Sequence, residues 1–260
     1  MADPVRLELE ESGLAVLTLD SPPLNLFDRQ MMDALAAAIS GLAADPPRAA
    51  LIRAEGRAVS GGVDVNVFAG LTPAEGDRLW TELLETIEAL ETLPAPVVFA
   101  AHALTLTAAF ELALACDWIV ASPGASFGLV ERVVGLTPSM GGTQRLAERA
   151  GSGRARQFVM SGGVFGAEEM ERWGVVNEIY PAEEFEARSR ALAEELAAGP
   201  TKAHAMTKHI LKRLREGGME TADEAVRTEA AQLFATEDLQ NAVKAFLEHG
   251  GPGHATFRGR

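Results

Sequence analysis

Residues 92–122 read TLPAPVVFAAHALTLTAAFELALACDWIVAS, and this stretch decides the fold class. Val97–Ala101 is a short, wholly apolar run behind Pro94 and Pro96, the pattern of a buried strand. From about Leu106 to Cys116 the chain is apolar on every side, which predicts a buried helix. Trp118–Ala121 reads as a strand again. Strand, helix and strand in close succession predict an α/β core. The segment Thr92–Phe110 is also long and uncharged enough to raise the question of a membrane span. Pro94, Pro96, His102, Thr105 and Thr107 interrupt it and Glu111 follows at once, so the expectation is no membrane association and a cytoplasmic protein.

The same alternation extends toward the amino end. Arg6–Leu9 and Leu14–Leu19 are expected to pair as strands around the Ser12-Gly13 turn. Asp28 is placed to cap a helix to about Leu42, with Met31, Met32, Leu35, Ile39 and Leu42 at helical spacing. Ala49–Ile52 is a strand followed by the Gly-rich loop Gly56–Gly62, and Pro73–Thr92 is a helix. Beyond Pro138 the patterns are helical: Met140–Arg149, Gly153–Met160, Ala167–Trp173, Glu183–Ala198, Pro200–Arg215, Thr221–Phe234 and Thr236–His249, then an extended tail. The expected organisation is a core over residues 1–195 and a helical region over 196–260.

Composition narrows the function. With 260 residues and 47% hydrophobic side chains the chain has ample surface to bury. Its 23 Lys and Arg face 37 Asp and Glu, a net charge of -14 that disfavours nucleic acid and anionic membrane as partners. One cysteine, Cys116, excludes an internal disulfide framework and a Cys-rich zinc module. The histidines at 102, 204, 209, 249 and 254 lack metal-ligand spacing, and no metal site is expected.

Two carboxylates hold the chemical interest. Glu111 is the only formally charged side chain between Glu91 and Asp117. It is either an acid at the helix edge that reaches solvent or an arginine, or a functional carboxylate whose burial forces a shifted pKa. Glu131, beside Arg132, reads alone as a surface ion pair. It follows Glu111 by one strand and one turn, a connection that could bring two carboxylates to opposite sides of one pocket, suited to general acid/base work. RAVSGGVDV (57–65) and the start of the Leu106–Cys116 helix offer unpaired main-chain N–H groups, fit to stabilise a developing oxyanion. The run Lys202, His204, Lys208, His209, Lys212, Arg213, Arg215 is either a solvated helix face or a contact for ligand phosphates.

These segments resemble the enoyl-CoA hydratase/isomerase, or crotonase, family. SPPLNLFDRQMMDAL is similar to its Pro-x-x-Asn-Ala-Leu segment, RAVSGGVDV to its Phe-Ser-x-Gly-x-Asp loop, and FELALACDWIVAS to its Glu-Leu-Ala-x-x-Cys-Asp stretch. FGLVERVVGLTPSMGGTQRLAERAG and the ending AFLEHGGPGHATFRGR resemble the segments that follow. The resemblance implies a spiral α/β core of repeated ββα units and a carboxy-terminal helical region used in trimers, which often pair into hexamers. It implies an enoyl-CoA hydratase that adds water to a trans-2-enoyl-CoA in fatty acid metabolism, with a 3,2-enoyl-CoA isomerase or an acyl-CoA binding protein as alternatives. No cofactor is implied, since coenzyme A is part of the substrate. Residue by residue, Glu111 and Glu131 fall on the catalytic glutamates, and Val63 and Ala108 on the two backbone oxyanion-hole donors. Pro23, Leu24, Ser60, Gly61, Gly62, Asp64 and Ser139 fall on substrate-binding positions. The run His102–Ala109 departs from the family's Asn-Gly-x-Ala-x-Gly-Gly-Gly pattern, with Ala108 standing for a glycine, and Ser139 replaces another.

Overall fold

The chain opens on the expected hairpin: β1 (Val5–Leu9) pairs antiparallel with β2 (Leu14–Leu19), Leu7 opposite Leu17. In the computed structural model, which describes residues 3–260, β2 is buried along its whole length and needs cover on both faces. Parallel partners extend it: β3 (Ala49–Ala54), β4 (Val97–Ala101), β6 (Trp118–Ala121) and β9 (Glu178–Ile179), in the order β1-β2-β3-β4-β6-β9. A smaller sheet, β5-β7-β8, is built from β5 (Leu104–Leu106), β7 (Ser126–Gly128) and β8 (Val164–Gly166).

The helices are α1 (Arg29–Ala44), α2 (Pro73–Glu91), α3 (Ala108–Leu114), α4 (Gly142–Ala150), α5 (Ser152–Ser161), α6 (Ala167–Arg172), α7 (Phe185–Ala198), α8 (Thr201–Thr228) and α9 (Glu237–His249). Each turn of the spiral sends one strand to the large sheet and the next extended piece to the small one before a helix returns. β4–β5–α3 is one such unit, and β6–β7 leading to α4 is the next. In the preceding units single bridges stand in for the second strand: Phe27 pairs with Val63, and Ser60 with Thr105. The loops that should form the site are thereby stitched to the small sheet.

Local chemistry explains the boundaries. The Asp28 carboxylate accepts the Met31 N–H at 2.8 Å and starts α1. Thr72 and Glu75 form a capping box before Pro73 and start α2. The helix expected from Leu106 begins at Ala108, because Leu104–Leu106 are drawn into pairing with β7. The helices expected at 200–215 and 221–234 are one bent element: α8 runs through Gly217 and turns at Gly218 (φ 75°, ψ -166°), and a 3-10 turn, Ala230–Ala235, follows.

Two apolar layers result. Leu17, Leu19, Ile52 and Phe99 face α1, α2 and α3, whereas Leu14, Val16, Leu51, Val98 and Val120 pack under α7 against Phe185 and Leu196. The region after Thr201 stays less covered: Leu211, Met219, Val226, Phe234, Val243, Phe246 and Leu247 are all exposed. Among the described residues no helix is long and apolar enough to cross a membrane.

Asn25 anchors the first loop. It is buried at φ 49°, and its Nδ2 donates to the carbonyls of Glu55 (2.8 Å), Ala58 (3.1 Å) and Val59 (3.2 Å) while Oδ1 accepts the Ser21 N–H at 2.6 Å. Replacing it with alanine strips the buried carbonyls of Ala58 and Val59 and the half-buried one of Glu55 of their donor, and leaves no stabilising side chain in the left-handed region. Asn25→Ala is expected to cost about 2–4 kcal/mol, read as a lower denaturant midpoint at unchanged slope.

Candidate active site

Glu111 sits on α3, every residue of which is buried, and is itself only 2% exposed. It reaches neither solvent nor an arginine, so the helix-edge expectation fails. Arg145, on α4, pairs with Glu91 at 2.7 Å instead. The Glu111 Oε2 accepts the Met140 N–H at 2.8 Å and the Gly142 N–H at 2.7 Å. The second donor belongs to the first residue of α4, where main-chain N–H groups lack intrahelical acceptors and the dipole favours negative charge. Gly141 turns into the helix at φ 87°, and a Cβ on Gly142 would lie 2.7 Å from Glu111 Cγ. Glycine at 142 is what lets the carboxylate approach.

Glu131 opens a 3-10 turn, Glu131–Val134, directly behind β7. The surface ion pair with Arg132 is not formed: Arg132 donates to the Ser161 carbonyl at 2.7 Å. Both carboxylate oxygens of Glu131 are buried and, among the described residues, have no hydrogen-bond partner on another residue. They face a cavity of about 200 Å³ that Glu111 also lines. Met32, Val65, Phe68, Leu83, Val134 and Leu136 supply much of its apolar wall.

Taking both acids out of water raises their proton affinity. Burial, then the charge of Glu131, lifts Glu111 to about 8 against the two N–H donors, and burial lifts Glu131 to about 7. The pair therefore passes through a singly protonated state near neutrality, and its titration belongs to both groups. A proton on Glu131 removes the repulsion acting on Glu111, whose two N–H donors then favour the anion. The two acids differ in support: Glu111 has the two N–H donors, and Glu131 has none from another residue.

Gly61, Gly62, Val63, Thr107, Ala108 and Ser139 line the same cavity. The segment around Val63 is held from both sides: Phe27 N–H donates to the Gly62 carbonyl (2.9 Å), and Asp64 N–H to the Phe27 carbonyl (3.1 Å). The N–H groups of Val63 and Ala108 have no protein acceptor among the described residues. The other positions taken from the resemblance lie behind the loop and do not line the cavity. Ser60 is fully buried, donating to the Asn25 carbonyl (2.7 Å) and accepting the Gly62 N–H (3.0 Å). Leu24 packs on Gly61 and accepts its N–H at 2.8 Å. Pro23 is exposed, and Asp64 caps the turn Val65–Phe68 through the Asn66 N–H at 2.9 Å.

Sequence reasoning passed over Thr107. Its backbone lies at φ 46°, ψ -118°, a region that a β-branched residue enters only under constraint, at a cost of about 1–3 kcal/mol. Its buried Oγ1 has no partner, a further cost of roughly 1–3 kcal/mol. The available signal was its place in the altered run 102–109.

The basic run on α8 is spent within the chain. Lys208 pairs with Asp117 (2.8 Å), His209 with Glu229 (2.7 Å), Arg213 with Glu216 (2.9 Å) and Arg215 with Glu91 (2.6 Å). Phosphate contact through these four residues is therefore disfavoured. Arg57 is exposed and Lys202 likewise, and neither has a carboxylate within 4.0 Å among the described residues. Cys116 is a core residue: burial pushes its thiol up, and Sγ donates to the Leu112 carbonyl at 3.3 Å.

The raised carboxyls make a stability prediction. Both bind protons more tightly in the folded chain than at their ordinary value of 4.5. The native state thus holds more protons than the unfolded one between about pH 4.5 and 8, and stability falls as pH rises through that window. Glu111→Gln removes the share due to Glu111 and leaves that of Glu131, which burial alone raises. Thermal melts should show the variant gaining on the wild type from pH 5 to pH 8, by about 1–3 kcal/mol at the upper end.

Comparison with known proteins adds the family context. The family model described as enoyl-CoA hydratase/isomerase matches residues 9–256. A protein of Rhodobacter capsulatus named probable enoyl-CoA hydratase is 35% identical over 98% of this chain and 98% of its own length. One of Mycobacterium tuberculosis with the same description is 30% identical over 93% of this chain and 94% of its own. The crystal structure of a Mycobacterium smegmatis enoyl-CoA hydratase superimposes at a TM-score of 0.89, 27% identical, over 96% of this chain and 98% of that one. The fold is the crotonase fold.

Proposed function

Because the chain belongs to the enoyl-CoA hydratase/isomerase family, we propose that it is an enoyl-CoA hydratase, adding water in syn fashion across the 2,3 double bond of a trans-2-enoyl-CoA. One observation carries this reading: two buried carboxyls of raised proton affinity share a small cavity with two unbonded main-chain N–H groups. The Val63 and Ala108 N–H groups would receive the thioester oxygen and stabilise the enolate as charge develops on it. Glu111, ionised and held through Oε2, would orient a water and take its proton. Glu131, carrying the pair's proton, would deliver it to the α-carbon. Addition needs one acid and one base at once, which the singly protonated pair provides.

The apolar wall formed by Met32, Phe68, Leu83 and Leu136 suits an acyl chain. Arg57, exposed on the Gly56–Gly62 loop and without a carboxylate within 4.0 Å among the described residues, suits a CoA phosphate, while Pro23, Leu24 and Asp64 flank that loop and Ser60 braces it from within. No cofactor enters the scheme. Residues 1–195 would carry the site and 196–260 would assemble subunits, in a cytoplasmic enzyme of lipid metabolism.

The reading is tested by offering enoyl-CoA esters of several chain lengths and following products by mass spectrometry. Gain of one water with either glutamate replaced by glutamine at a loss of about 10²–10⁴ in kcat is expected. The double variant should lose far less than the product of the single losses. The wild-type rate should peak between about pH 7 and 8 and fall on both sides. Double-bond migration without hydration, severe only in Glu131→Gln, would replace this reading with the isomerase. Tight acyl-CoA binding with no turnover would replace it with a binding protein.

The exposed apolar residues of α8, α9 and the turn between them carry the assembly proposal, a homotrimer or a hexamer made of two trimers. Light scattering at micromolar concentration should give three or six subunits. A monomer would overturn it.

A further inference from the structure

Thr107 is where the site departs furthest from ordinary backbone chemistry. It is the hinge between β5 and α3, and its main chain is tied at both sides: its N–H donates to the Gly128 carbonyl and its carbonyl accepts the Glu111 N–H, both at 2.8 Å. Apart from Asn25, it is the only non-glycine residue with positive φ among the described residues. Asn25 is stabilised in that conformation by its own hydrogen bonds; Thr107 has none from its side chain. Its Oγ1 lies against Gly62, 2.9 Å from where a Cβ on that residue would stand. It thus sits between the residues next to both free N–H groups, Val63 and Ala108, on the wall of the cavity that holds the two glutamates.

A strained backbone and an unsatisfied buried hydroxyl coincide at one residue. An outlier of this kind at a site wall points to a ligand that completes it. Serine would carry the same hydroxyl and glycine would relieve the strain, so neither geometry nor packing alone calls for threonine. We propose that the Thr107 hydroxyl is a third donor at the oxyanion site, a catalytic side chain that hydrogen-bonds the substrate's thioester oxygen beside the Val63 and Ala108 N–H groups. This rests on the hydratase reading above. Threonine's β-branch serves the same end: it restricts χ1, so the hydroxyl is held against Gly62, between the two loops that carry the Val63 and Ala108 N–H groups.

The test separates this role from a structural one. The probe is an aryl-substituted enoyl-CoA whose ultraviolet absorption moves to longer wavelength when its carbonyl is polarised. Thr107→Val keeps size and branching and deletes the donor; Thr107→Ser keeps the donor; Thr107→Gly removes both donor and strain. All are compared as folded proteins by circular dichroism.

Expected are a loss in kcat of about 10- to 100-fold in Thr107→Val and Thr107→Gly with KM nearly unchanged, as for a contact strongest in the transition state. The bound probe's spectral shift should shrink in both, and Thr107→Ser should recover kcat to within about threefold of wild type. If Thr107→Val does not fold, the serine and glycine variants decide alone. An undiminished shift, or a glycine variant as active as the wild type, would overturn the proposal while leaving the hydratase reading intact. A wild type that turns over no enoyl-CoA and binds the probe without any spectral shift would remove both.

Discussion

Two amide N–H groups, from Met140 and Gly142, hold the Glu111 carboxylate inside the protein, and much of the site depends on that contact. A carboxylate in the core must be neutralised, paired or hydrogen-bonded. Here the partners are main-chain groups at the open end of α4, which need an acceptor as much as the carboxylate needs donors. The contact ties the buried helix α3 to the segment that follows Glu131 and so fixes both acids around one cavity. It also explains the local glycines: a left-handed turn at Gly141 and no Cβ at Gly142 are conditions for the approach.

The complementary half of the site is made of backbone. Val63 and Ala108 belong to different turns of the spiral, yet the bridges Phe27–Val63 and Ser60–Thr105 place their segments side by side. Asn25 and Ser60 lend no atom to the cavity wall; their hydrogen bonds keep the Gly-rich loop in register. In the proposed reaction, donors held this way would need no reorganisation as charge develops on the thioester oxygen. The two acids are arranged unequally: one is supplied with donors and the other is left in a largely apolar wall.

Charge elsewhere is used for cohesion. The cations of α8 at 208, 213 and 215 meet carboxylates on neighbouring elements or on α8 itself, and Glu91 receives both Arg145 and Arg215. Arg215 joins the long helix to both α2 and α4, through Glu91 and Glu148. The pairings also remove most of a basic patch that looked suited to phosphates, leaving Arg57 and Lys202 as the unpaired cations near the two regions concerned.

The strands and helices of the core were legible from apolar periodicity, because burial on two faces demands unbroken apolar runs and amphipathic helices demand their spacing. Asp28 as a cap was legible for a similar reason, being a local hydrogen bond set by residues three apart. Motif order carried the family. What a linear reading could not decide was environment. Glu111 had a solvent or arginine partner as an equally local option, Glu131 had Arg132 beside it, and Lys208 and Arg215 met Asp117 and Glu91 only in the fold. Thr107 gave no sign of its strained backbone, because φ at that residue is imposed by Gly128 and Glu111, partners brought there by strand pairing and by the start of α3. Sequence alone determined which segments must be buried; tertiary structure decided which polar groups meet there, since hydrogen bonds and ion pairs act over a few ångströms between residues far apart in the chain.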